Sequence, residues 1–179
     1  CVDGVFCATG GPAGVAAGIV HTGDNTNFQF YLSIFSNGTR NILPIQSGES
    51  FFTTGVNNNS QLTGWYMSAQ SNYEQVPFVA SETEGISFLP VPDGRSGFAT
   101  GISETGVVVG GVYESGGSIP TVWLPSESGY LRQTLSLPDS QWRARPLAIS
   151  NSGVVGGRLE TFEGRMLPGV WANDEVDVL

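Results

Sequence analysis

Tryptophan and arginine are the residue types best placed to do chemistry in this chain, and the chemistry they suggest is binding. Trp65 and Trp142 offer flat aromatic faces of the kind that stack on sugar rings or anchor an interface. Trp142 is followed by Arg143 and Arg145, two of only seven basic residues, all of them arginine. The plainer reading is a tryptophan covering a loop beside solvated arginines. Catalytic sets are missing. His21 is the only histidine, and Cys1 and Cys7 are the only cysteines, which is too few for a zinc site or a disulfide scaffold. Phosphate loops, HExxH, GxSxG, CxxC pairs and calcium loops are absent. No catalytic residue, metal ligand or cofactor is assigned.

Cys1 leaves three readings open: a lipid-anchored first residue, a disulfide partner, and an unpaired thiol. The sixteen acids would allow a carboxylate pair of the glycosidase type. Asp93 and Asp139, however, stand 46 residues apart behind Leu-Pro pairs, and recurrence of that kind points to structure.

The charge balance narrows the partners. Sixteen acids against seven arginines give a formal charge of −9, with no basic cluster to hold a nucleic-acid backbone or an anionic membrane. No run of about 18 apolar residues spans a bilayer. Low charge, absent lysine and abundant Ser, Thr, Asn and Gly suit an extracellular or cell-surface protein. At 40% hydrophobic residues, the 179-residue chain can build a real core.

The elements that position these side chains follow from an internal repeat. Gly18, Gly64, Gly110 and Gly157 are spaced by 46, 46 and 47 residues. Four residues before each stand Gly14, Ser60, Gly106 and Gly153. Leu43-Pro44, Leu89-Pro90 and Leu137-Pro138 form a second marker. Leu32, Phe78, Trp123 and Trp171 form a third. One period of about 46 residues accounts for all of them. The units run over about 4–47, 50–93, 97–139 and 144–179 of a single repeat domain.

Each unit reads as four short strands. In the third they are GFATGI (97–102), GVVVGGVY (106–113), IPTVWL (119–124) and GYLRQTLSL (129–137). β-branched and aromatic residues fill the strands, and Gly and Ser-Gly pairs fill the turns. No segment carries sustained helical periodicity with caps. Four strands per 46 residues is blade spacing, which predicts an all-β, four-bladed β-propeller-like array. It is either a small closed ring or an open arc of blades completed by another chain. Trp123 and Trp171 recur in register and are predicted to be core between blades. His21 aligns with Met67 and Tyr113 and is predicted to be structural. Trp65 breaks the pattern, since its slot holds Gly111 and Arg158 in later units.

At GISETGVVVGG and AISNSGVVGG the chain resembles the HAF repeats of bacterial extracellular proteins. Gly101, Ile102, Gly106, Val108, Val109, Gly110 and Trp123 carry the likeness, as do Ala148, Ile149, Gly153, Val155, Gly157 and Trp171. The resemblance implies an extracellular propeller-like repeat protein and brings no catalytic residues with it. The expected function is a non-enzymatic structural or binding module for surface attachment, matrix or self-assembly. Its partners would be further copies or another surface protein. The alternatives are a carbohydrate-binding propeller using Trp65, Trp142, Arg143 and Arg145, or a glycan hydrolase or lyase.

Overall fold

The computed structural model describes residues 6–9, 16–22, 29–36, 39–44, 49–68, 72, 74–114, 117–172 and 175–179. Every regular element among them is a strand, and the sixteen strands form four four-stranded antiparallel sheets. The first sheet holds β1 (Phe6–Thr9), β2 (Ala16–Thr22), β3 (Gln29–Ser36) and β4 (Thr39–Pro44). The second holds β5 (Glu49–Val56), β6 (Leu62–Ser68), β7 (Val76–Ser81) and β8 (Gly85–Phe88). The third holds β9 (Gly97–Ile102), β10 (Val108–Glu114), β11 (Gly117–Ser126) and β12 (Gly129–Thr134). The fourth holds β13 (Arg143–Ile149), β14 (Val155–Glu160), β15 (Met166–Ala172) and β16 (Glu175–Val178). Strands pair in chain order, as a meander, within every sheet.

The repeated glycines have two separate physical causes. Gly106 and Gly153 sit in the turn after the first strand at φ 80° and 84°, where a side chain is strained. Ser60 takes the same turn at φ 58°, so the second unit keeps the geometry without the glycine. Gly64, Gly110 and Gly157 are constrained by space. A Cβ there would fall onto the carbonyl of Phe52, Phe98 or Arg145 on the neighbouring first strand. Just beyond each of these carbonyls the first strand bulges, between Thr53 and Gly55, Ala99 and Gly101, and Pro146 and Ala148.

Apolar faces between consecutive sheets form the core. Phe51, Leu62, Phe78 and Ala80 of the second sheet meet Leu32 and Ile34 of the first. Val79 and Leu89 meet Val108, Val112 and Trp123 of the third sheet. Val109, Val122 and Leu135 meet Val155, Leu159 and Trp171 of the fourth. Trp123 and Trp171 are fully buried, and each donates its indole N–H to a carbonyl at the end of the preceding sheet. The acceptors are Pro90 at 2.8 Å and Ser136 at 2.7 Å. The two tryptophans therefore do the same work in successive blades.

Polar ties run alongside. The bulge threonines reach across to the next first strand, Thr54 Oγ1 to the Ala99 carbonyl (2.9 Å) and Thr100 Oγ1 to the Pro146 carbonyl (2.8 Å). Asn57 Nδ2 donates to the Ser103 carbonyl, and the Glu104 N–H donates to Asn151 Oδ1, linking successive turns. Leu147 occupies the bulge slot in the fourth sheet and is exposed.

Two sequence markers shift in the ladder. Trp123 lies opposite Val108 and Trp171 opposite Val155, but the residue opposite Leu62 is Ala80, not Phe78. Phe78 fills the same inter-sheet face two residues earlier, because the β6–β7 connection is longer than the β10–β11 one. Likewise the counterpart of Leu89 is Leu135 rather than Leu137. The N–H groups of Leu89, Leu135 and Leu179 donate to the carbonyls of Pro77, Pro120 and Pro168.

Among the described residues, the first strand of each sheet packs on the first strands of the sheet before it, and no comparable packing joins the fourth sheet to the first. The arrangement is open.

Candidate functional site

The third seam, between the third and fourth sheets, holds a cleft of about 290 Å³. Phe98, Tyr113, Gly117 and Ser118 line it on one side; Arg143, Ala144, Arg145, Arg158 and Glu160 line it on the other. Cross-strand register assembles the charged wall. Arg145 on β13 lies directly opposite Arg158 on β14, and Arg143 lies opposite Glu160. Like charges facing each other across a ladder destabilise it, so the Arg145–Arg158 pairing is a cost to the fold. Three guanidinium groups against one carboxylate make this a local positive site in a chain of charge −9.

The aromatic floor has its own local cause. A side chain on Gly111 would collide with the Phe98 ring, so the absence of one lets that ring lie flat over the sheet. Phe98 then contacts Tyr113 with ring centroids 5.2 Å apart. The Arg145 guanidinium sits over the Phe98 ring at 4.7 Å, a cation–π contact, and its Nε is buried without a hydrogen-bond acceptor among the described residues. Gly117 leaves room for the Arg143 side chain. The Ser118 hydroxyl donates to the Ala144 carbonyl at 2.7 Å and pins the two walls together. The result is a cleft with planar cationic donors, an exposed Tyr113 ring and one carboxylate, Glu160. It can bind an anion.

The four residues singled out in sequence do not form one site. Arg143 and Arg145 meet in the cleft, joined by Arg158. Trp65 is in the second sheet, half-buried and stacked on Phe52 with centroids 5.2 Å apart and planes 10° off parallel. Trp142 is partly buried against the third-seam core and is not in the cleft lining. Cys1 lies outside the described residues; Cys7 falls in β1 opposite Gly18, and His21 in β2 opposite Phe30. Among the described residues no three His, Cys, Asp or Glu side chains gather to hold a metal ion.

Sequence reasoning had noted Arg158 only as the replacement for Trp65. Aligning Phe52, Phe98 and Arg145, spaced by 46 and 47, would have supplied its cross-strand partner and located the cleft.

Among solved structures the chain is similar to the β-propeller domain of the Trilobed protease from Pyrococcus furiosus, which reveals an open velcro topology. The TM-score is 0.65 at 10% identity, over 92% of this chain and 51% of that one. This chain is a β-propeller-like array. It spans about half the length of that domain's chain, and at this identity the likeness concerns the fold. A mutant of AofleA from Arthrobotrys oligospora also matches, over 98% of this chain and 72% of that one, at 10% identity and a TM-score of only 0.35. No protein-family model matches the chain, and no curated protein does.

Proposed function

We propose that the propeller-like array is a non-enzymatic, extracellular binding module, and that it takes an anionic ligand in the third-seam cleft. The observation that carries this reading is the Arg145–Arg158 pair. Two like charges face each other where the second sheet has Phe52 and Trp65, and one is half-buried with an unsatisfied Nε. An arriving anion offsets the repulsion between the two guanidinium groups. Planar, permanently charged donors that grip carboxylate or phosphate oxygens in pairs suit the task.

The test is an amide-resonance titration at low salt with sulfate, phosphate and glucuronate. At least one should shift Gly117, Ser118 and the 143–145 amides while leaving those of Phe52 and Trp65 in place. Silence from all three anions would refute the reading.

A second reading, self-association, is favoured by the open arrangement. Leu147 is 51% exposed at the slot from which Thr54 and Thr100 reach the next sheet. Sedimentation at high concentration, where a single monomeric boundary would count against it, separates this reading from the first.

A further inference from the structure

Resting on the anion-binding reading, we infer that the ligand of the third-seam cleft is a carboxylated sugar, a uronic acid residue of an acidic polysaccharide. Glu160 is the discriminating group. It lines the same wall as the three arginines, on the strand that carries Arg158. A sulfate dianion offers only acceptors, and Glu160 would repel it. A uronate offers both faces: one carboxylate for the planar guanidinium forks and several hydroxyls to donate to a carboxylate acceptor.

Tyr113 and Phe98 supply the third component. The exposed Tyr113 ring, tilted against Phe98, gives an apolar surface for the C–H face of a pyranose. The cleft volume lies near the lower end of small-molecule sites, about 300 Å³, which suits one ring rather than a large ligand. The cleft is open to solvent, so neighbouring residues of a polymer can continue past it. The arginines therefore set the charge requirement, Glu160 selects hydroxyl donors, and the rings select a sugar over a bare anion.

The experiment is calorimetric titration of the intact chain with trigalacturonate, with its uncharged methyl ester, and with inorganic sulfate. Trigalacturonate should bind at least tenfold more tightly than either of the others, and Arg158→Gln, an exposed substitution, should weaken it at least tenfold. Glu160→Gln should narrow the gap between trigalacturonate and sulfate. Sulfate binding as well as trigalacturonate would overturn the sugar assignment and leave the anion site standing. Equal binding of the ester would overturn the charge requirement. No binding of any of the three would sink both this inference and the reading beneath it. A thermal melt on each variant confirms that it is folded.

Discussion

The second and fourth sheets hold the same pair of slots and put opposite chemistry into them. In the second, Phe52 and Trp65 face each other across β5 and β6 and stack ring on ring. In the fourth, the slots hold Arg145 and Arg158, one over an aromatic ring of the neighbouring sheet and the other exposed. The third sheet stands between them, with Phe98 opposite Gly111. Around these slots the scaffold barely changes: the bulge, the close-approach glycine and the proline of the third strand all recur. Backbone geometry fixes those positions, whereas the slot pair faces a partly open surface and is free to take on a role. The departure from pattern, not the pattern, marks the functional place.

The largest way to break the comparison is to remove what the blades share. Trp171→Ala deletes a fully buried indole and its hydrogen bond to Ser136, and should cost about 3–5 kcal/mol in urea unfolding. Close behind it, Gly157→Ala places a methyl 2.5 Å from the Arg145 carbonyl oxygen and should cost about 1–3 kcal/mol. Its neighbour Gly156 has open space around the added methyl, so Gly156→Ala should stay within about 0.5 kcal/mol of the parent. If the two glycines behaved alike, the close-approach account of the motif would fail.

A smaller effect separates a tied blade from an untied one. Thr100→Val removes the hydrogen bond to the Pro146 carbonyl and should cost about 1 kcal/mol by denaturant midpoint. Leu147→Ala, at the same slot but 51% exposed, should cost distinctly less. Alkaline pH probes the second seam. Burial first, and the nearby Glu84 charge second, raise the Tyr130 phenol above its usual 10.0. The folded chain therefore holds that proton more tightly than the unfolded chain does. The associated stability is intact below about pH 10 and is lost as pH rises through the raised pKa. Tyr130→Phe should flatten the decline seen above pH 10, and an unchanged pH profile would count against this assignment.

Much of the scaffold was legible in sequence because its causes are local. A turn that needs positive φ favours glycine, with Ser60 the exception in the second unit, and a strand that cannot accept a Cβ requires it at Gly64, Gly110 and Gly157. Buried tryptophans announced themselves in the same way. Legibility ended where hairpin length varies. Pro77, Pro120 and Pro168 hold one structural position, but they are spaced by 43 and 48 and escaped notice. Phe78 falls in line with Trp123 in sequence because a longer β6–β7 connection offsets a shorter hairpin in the count. Arg143 and Arg145 drew attention as neighbours in sequence. Their partner Arg158 is 13 residues away, and only strand register brings it opposite. Trp142 breaks the repeat register, which marks it as a sugar-stacking or interface aromatic, yet the core beside it takes up its ring.

The most direct test returns the fourth sheet to the residues of the third, with Arg145→Phe and Arg158→Gly made together and both unfolding stability and trigalacturonate affinity measured. Loss of the facing charges should leave the chain as stable as the parent or up to about 1 kcal/mol more so, while binding disappears. A variant that still bound, or one that lost both stability and binding, would mean the arginine pair is part of the scaffold and not a site built on it.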